Sequence, residues 1–259
     1  RMIKKLGVPK EVKQDEGRVA LIPKHLTQFT GLADIFVESG AGQGSGFSDK
    51  DYESAGAKIL GSAQELYESS EIICKVKEPQ EEEFNLLKPS HVLFGYLHLA
   101  SNLSMTKKLL EKKLTGIATE MIMDGNQYPL LIPMSKIAGN LAIQKGMQFL
   151  EYSSQGKGLL LPSISDESNS KVVVIGCGEV GKASIDKSIQ IGASVVAIDL
   201  NEEILRELKN KYQDKITTII GGSEEAKNEV RSADLVVGAV LLPGRTPPVV
   251  ITEEDIDQM

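Results

Sequence analysis

Apolar residues along this chain fall into two recurring patterns, short continuous runs and runs broken at helical spacing, and the first half alternates between them. Short runs rich in β-branched residues read as strands over 5–8, 35–38, 72–77, 92–98 and 116–119. Helical segments fall between them: 23–29, opened by Pro23; 49–55, after Ser48; 63–68, after Ser62; and 105–113, after Ser104. Strand and helix in alternation predict an α/β layer around a largely parallel sheet. The glycines of 40–46 read as a flexible loop and not as a dinucleotide turn, because only a short helix follows them. Over 134–152, Ile137, Leu141 and Phe149, with the small Ala138 and Gly139, predict one long helix leading into a second domain. A polar, turn-rich link is expected over 162–170.

The stretch after that link is the one that specifies a ligand. Residues 171–175 form a β-branched run that stops at a glycine, as a buried parallel strand stops at a phosphate-binding turn. Gly176, Gly178 and Gly181 follow with the spacing G-x-G-x-x-G. The first permits the tight turn, the second lets a pyrophosphate approach the backbone, and the third lets the helix lie close to the strand. A helix over 179–191, opened by Glu179 and Val180, would turn its unpaired N–H groups toward that phosphate. A second strand over 194–198 delivers Asp199, where an acid accepts the ribose hydroxyls of an adenosine and repels a 2′-phosphate. The cofactor expected is therefore NAD rather than NADP; the plain alternative is a glycine-rich turn in an ordinary α/β domain. A further apolar strand is expected over 235–240.

Composition bounds the rest. A chain of 259 residues makes two modest domains or one large one, and a net charge of −7 disfavours nucleic acid or a membrane surface as partner. No apolar run reaches membrane-spanning length, and the opening residues lack the apolar core of a signal peptide. Cys74 and Cys177 are too few for a disulfide framework and too far from other ligands for a metal site, so they read as reduced, buried residues of a cytoplasmic protein.

Three titratable residues lie where α/β sheets place their sites, at the ends of expected strands. Arg18 follows a glycine and precedes an apolar segment; its guanidinium could take a carboxylate in two-pronged fashion, or pair on the surface with Asp15 or Glu16. Lys77 ends the strand over 72–77 and could hold a carboxylate or polarise a carbonyl. Alternation puts Lys75 on the same face, where it reads as a strand-edge charge. His98 closes an apolar strand and suits a proton carrier near neutral pH, or a satisfied core histidine; His25 and His91 both read as surface residues.

The segments GVPKEVKQDEGRVALIP, VESGAGQGSGFSDKDYESAGA, KVKEP, LFGYLHLA, PLLIPMSKIAG, KVVVIGCGEVG and GAVLLPGRTPP occur in an order that closely resembles the alanine dehydrogenase family, over essentially the whole chain. The resemblance implies two Rossmann-like domains with mostly parallel sheets and a cleft between them. The first, residues 1–133, would be the substrate domain, and residues 134–259 the NAD-binding domain. It implies NAD-dependent, reversible oxidative deamination of L-alanine to pyruvate and ammonia in a homo-oligomer, a hexamer in that family. Arg18 and Lys77 would then hold the substrate, with Lys77 and His98 catalytic and His98 the acid/base. Met134 and Ser135 would line the nicotinamide end of the site, Met134 against substrate and Ser135 against cofactor; Val240 and Leu241 belong to the segment beneath the nicotinamide. The family continues beyond the position matched by Met259 with another strand and an aspartate, so the second sheet is expected to be incomplete, and Asn140 stands where a basic residue is common. Opine-type or saccharopine-like dehydrogenases, a transhydrogenase NAD-binding part, or a non-catalytic NAD binder remain alternatives.

Overall fold

The structure, a computed structural model, describes residues 4–162, 170–242 and 248–259. All but the two ends of the expected polar link lie outside these residues, as do Pro243 and Gly244 after the last expected strand. The chain divides into two compact units, Arg1–Tyr128 and Pro129–Met259.

The first unit is a six-stranded sheet of β1 (Lys4–Val8), β2 (Ala33–Glu38), β3 (Lys58–Leu60), β4 (Ile72–Lys77), β5 (Val92–Tyr96) and β6 (Thr115–Ala118) in the order β3-β2-β1-β4-β5-β6, every pair parallel. Two apolar clusters cover its faces. Leu6, Val8, Ile35, Val37 and Cys74 pack on one, and Ile73 and Leu93 meet Leu66 and Tyr67 on the other, so the strands read as unbroken apolar runs because both sides are buried. The crossovers include α1 (Asp49–Ser54), α2 (Ala63–Ser69) and α3 (Leu103–Lys112). Ser48 and Ser62 cap α1 and α2 as expected, but α3 begins earlier than the sequence suggests, on an Asn102 cap instead of Ser104. The segment Pro23–Phe29 is a 3-10 helix, and β3 is too short to show an alternation in the sequence. β5 stops at Tyr96, two residues before His98.

In the second unit α4 (Leu131–Leu150) precedes β7 (Lys171–Ile175), α5 (Glu179–Gln190), β8 (Ser194–Asp199), α6 (Glu202–Tyr212), β9 (Ile216–Ile220), α7 (Glu224–Arg231), β10 (Leu235–Gly238) and α8 (Glu253–Asp257). The strands again pair in parallel, in the order β10-β7-β8-β9. α6, β9, α7 and α8 were not singled out by the sequence pattern, and β10 ends two residues sooner than expected. On β7, Val172 and Val174 enter one apolar cluster while Val173 and Ile175 enter another on the opposite face.

The residues that betray α4 in the sequence are not the ones it buries. Ile137, Leu141 and Phe149 are exposed; Ser135, Gly139, Ile143, Gly146 and Leu150 form the inner face. Small residues serve there because a Cβ on Gly139 would meet the Val180 carbonyl oxygen at 2.3 Å, and Ser184 Oγ of α5 donates to the Gly139 carbonyl at 3.1 Å. Among the described residues, no helix is long and apolar enough to cross a membrane.

Candidate active site

Each sheet reverses its winding at one place, between β1 and β4 in the first unit and between β7 and β10 in the second. Loops diverge there at the carboxyl ends of the strands, which is where open α/β sheets bind ligands. Arg18 and Lys77 fall at the first of these places and the glycine turn at the second, while His98 lies one strand away from the first and Met134 and Ser135 lie on α4.

In the first unit Arg18 lies on the loop after β1, and its side chain is held by Glu16, from Nε to Oε1 at 2.7 Å and from Nη2 to Oε2 at 2.5 Å. The guanidinium thus presents the bidentate geometry that suits a carboxylate, with a carboxylate of its own chain in place. Glu16 is lowered from its ordinary 4.5 first by that hydrogen bond, and also by the charge of Lys77, which sits close enough to be felt. Burial pushes the Tyr96 hydroxyl up against the pull of Arg18, with Glu120 adding to the rise. Arg18 on the loop after β1, Lys77 at the end of β4 and Tyr96 at the end of β5 all stand at the carboxyl edge of the sheet.

His98 is exposed and adopts φ 47° and ψ 41°, a left-handed conformation uncommon outside glycine. Its amide donates to Glu120 Oε1 at 2.7 Å, which holds the turn in place after β6 returns beside β5. Strained non-glycine backbone persists where its surroundings over-determine it, commonly at functional sites. Glu78, next to Lys77, bonds Lys13; burial alone would push its carboxyl up, but Lys13 and the charge of His98 outweigh burial and hold it below the ordinary 4.5.

Two expectations need correction. Lys75 is not an edge charge: it lies in the interior of β4, its side chain fully buried between Glu11 and Glu83, with Nζ–O distances of 3.3 and 2.7 Å. The strand has neighbours on both sides, and an extra residue between Cys74 and Lys77 shifts its register against β5, so alternation no longer carries from Lys75 to Lys77. His91 is not on the surface either; it is 2% exposed, with Nε2 3.0 Å from the Tyr67 carbonyl oxygen and Nδ1 accepting from the Lys88 amide. Sequence spacing missed Glu11, Glu83 and Glu120. The available signal was a lysine within a buried strand, which requires carboxylates to neutralise it.

The second unit supplies the glycine turn. Gly176 has φ 89°, and a Cβ there would meet Ala239 at 2.8 Å; a Cβ on Gly181 would lie 1.9 Å from the Gly176 carbonyl oxygen. Both glycines are demanded by the fold. Gly178 is not: it is exposed, its φ is −70°, and a Cβ on it would meet nothing within 4 Å. That open backbone at the amino end of α5, with half-buried Glu179 and Val180 beginning the helix, fits the approach of a cofactor diphosphate. Asp199 closes β8 and faces the same turn, its Oδ2 accepting from the Cys177 amide at 2.6 Å and its Oδ1 from the Asn201 amide at 2.8 Å. Val240 is half-buried beside Gly176, and Leu241 is exposed. Met134 is half-buried and Ser135 buried near the start of α4, and in the middle of that helix Asn140 Nδ2 donates back to the Lys136 carbonyl at 2.8 Å.

Residues 7–138 match the family described as alanine dehydrogenase/PNT, N-terminal domain, and residues 142–259 match its C-terminal domain. The chain belongs to this family. Within it, the alanine dehydrogenase of Methanococcus maripaludis is 42% identical over 257 residues, covering 98% of this chain and 69% of that protein. That of Bacillus subtilis is 42% identical over 255 residues, with 98% and 67% covered. A solved L-alanine dehydrogenase superposes with a TM-score of 0.89 at 39% identity, covering 98% of this chain and 71% of that one. The transhydrogenase of Sinorhizobium meliloti follows with a TM-score of 0.81 at 25% identity, over 99% and 75%. The family's two Rossmann-like sheets are those found here, with the expected order of segments intact.

Proposed function

We propose that this protein is an NAD-dependent alanine dehydrogenase, converting L-alanine, NAD and water to pyruvate, ammonium, NADH and a proton, and running in reverse when ammonia is plentiful. The observation that carries the reading is the placement of Arg18 on the loop after β1 and of Lys77 at the end of β4, the two strands that flank the winding reversal of the first sheet, with His98 on a strained turn one strand away. In this reading the first unit binds substrate and the second binds NAD. Bound NAD supplies the acceptor for the Cα hydride.

The protein's own residues do the rest. Arg18 takes the substrate carboxylate, which competes with Glu16 for the guanidinium; the ammonium of Lys77 faces the carbonyl oxygen of the keto acid and stabilises negative charge gathering there. Two cations holding one small substrate fix its orientation, which lowers the entropic part of the barrier. His98 accepts a proton from the attacking water and returns one as ammonia leaves. Met134 is assigned to the substrate on the family resemblance. Gly176, Gly178, Glu179, Val180 and Gly181 would hold the diphosphate of bound NAD, Asp199 its adenosine ribose, and Ser135, Val240 and Leu241 its nicotinamide end. A homo-hexamer in the cytoplasm is proposed with this assignment, on the family resemblance, and light scattering tests the assembly.

Formation of NADH from L-alanine and NAD tests the activity itself. His98→Ala should lower kcat by about 10²–10⁴-fold, the usual contribution of an acid/base group, while the thermal shift on adding NADH persists. A wild-type protein that binds NADH yet turns over no alanine would favour the transhydrogenase-like reading, which the S. meliloti likeness supports.

A further inference from the structure

Lys75, Glu11 and Glu83 have no part in the chemistry above, yet they form a buried charged cluster directly beneath it. The side chain of Lys75 is fully buried, and those of Glu11 and Glu83 are only 2% and 5% exposed. Glu83 is well satisfied: Oε1 accepts from Lys75 Nζ and from the Tyr67 hydroxyl at 2.8 Å, and Oε2 from the Gln80 amide at 2.8 Å. Glu11 is used differently. Its Oε2 faces Lys75 Nζ at 3.3 Å without hydrogen-bond alignment, while Oε1 accepts from the backbone amide of Val76 at 2.6 Å.

That amide is the one immediately before Lys77, and it lies inside the register shift: Cys74 pairs with Phe94 and Lys77 with Tyr96, so β4 carries one residue more than β5 over the same span. An extra residue takes an amide out of the ladder and re-aims the side chains that follow. Without it, Lys77 would share the face of Lys75 and turn into the interior. Glu11 itself sits three residues past β1, on the loop that leads to Arg18. Its carboxylate thus ties the loop of one cation to the backbone that aims the other.

We propose that Glu11 is a positioning residue, whose carboxylate, steadied by Lys75, holds the β4 bulge and so sets the aim of Lys77 and its separation from Arg18. Glu11 touches no substrate, and its removal acts through Lys77. The inference rests on the assignment of Lys77 to the substrate and deepens it.

The test compares Glu11→Ala, Glu11→Gln and, as a stability-matched control, Leu66→Ala, which opens a cavity among the apolar residues of the same unit and removes no partner of Glu11. Two readouts are taken on each intact protein. The first is steady-state kinetics with L-alanine and NAD. The second needs no turnover: the rate at which Lys77 is acylated by an N-hydroxysuccinimide ester, read at that residue by peptide mass spectrometry. Glu11→Ala should raise the KM for alanine by about tenfold or more, as misplacement by a fraction of an ångström does, with NADH affinity within about twofold of wild type, and should change Lys77 acylation by about threefold or more. Glu11→Gln keeps an oxygen for the Val76 amide and should recover most of both. Leu66→Ala should lower Tm with both readouts unchanged. Parallel changes in Glu11→Ala and Leu66→Ala, or unaltered Lys77 acylation in Glu11→Ala, would overturn the proposal. An inactive wild type whose Lys77 reactivity still depends on Glu11 would instead remove the alanine dehydrogenase assignment and leave the clamp standing.

Discussion

Single side chains in this protein carry costs that their surroundings must offset, and Lys75 is the clearest case. An ammonium with no exposed surface survives only between its two carboxylates, and cutting one member out leaves buried charge without a partner. Lys75→Met should therefore destabilise the first unit by about 3–5 kcal/mol, measured as a lower urea midpoint. The two cysteines make a separate prediction. Burial pushes both thiols up to about 12, with Glu11 adding to the effect at Cys74 and Asp199 at Cys177. Neither should react with iodoacetamide at pH ~8 until denaturant opens its unit, since the thiolate is the nucleophile; labelling of the native protein in minutes would contradict the burial. That both would be buried was legible in the sequence. The interior position of His91 was not, because Pro89-Ser90 before it reads as a surface turn while the ring reaches the Tyr67 carbonyl across the fold.

At the scale of elements, the turn from β7 into α5 separates glycines that serve the fold from one left over for a ligand. Gly181→Ala places a Cβ 1.9 Å from the Gly176 carbonyl oxygen and should cost about 2–4 kcal/mol of stability by overpacking. Gly178→Val meets open space, so it should leave Tm within a degree or two while weakening NADH at least tenfold in fluorescence titration. Equal loss of stability in both variants would mean that Gly178 is structural. This turn was readable from spacing because every part of it is local: strand, three glycines, helix and acid follow one another without interruption. α4 was readable as a helix but not as to its buried side. Its exposed Ile137, Leu141 and Phe149 carry the apolar signal, and its inner face carries Gly139 for close approach to α5 and Gly146 against Leu235 of β10, which no apolar count registers. The bulge in β4 was invisible for a related reason, since register is a relation to β5 and not a property of β4 alone.

Over the whole molecule, acid should undo the first unit by a route whose sign is fixed. Glu16 and Glu78 are both held below their ordinary 4.5, so they bind protons less readily folded than unfolded. Their contribution to stability is present above about pH 4.5 and is lost as pH falls through their folded values. Glu11 opposes this: burial raises it, and its share is lost as pH rises through the raised value. Glu78→Gln should flatten the acid side of a stability-versus-pH curve taken from urea midpoints, and an unchanged slope would show that the Lys13 pairing contributes nothing. The architecture at this scale was legible, because alternating strands and helices admit few parallel arrangements; the corrections concern contacts between distant parts of the chain. That same parallel pairing governs how the molecule comes into being. β7 needs β10 along one side, yet the two partners are more than sixty residues apart, joined at Lys171–Ile175 and Leu235–Gly238. During synthesis the central strand of the second unit waits with one margin unzipped until β10 leaves the ribosome, and in that interval a chaperone or a neighbouring nascent chain has its best purchase.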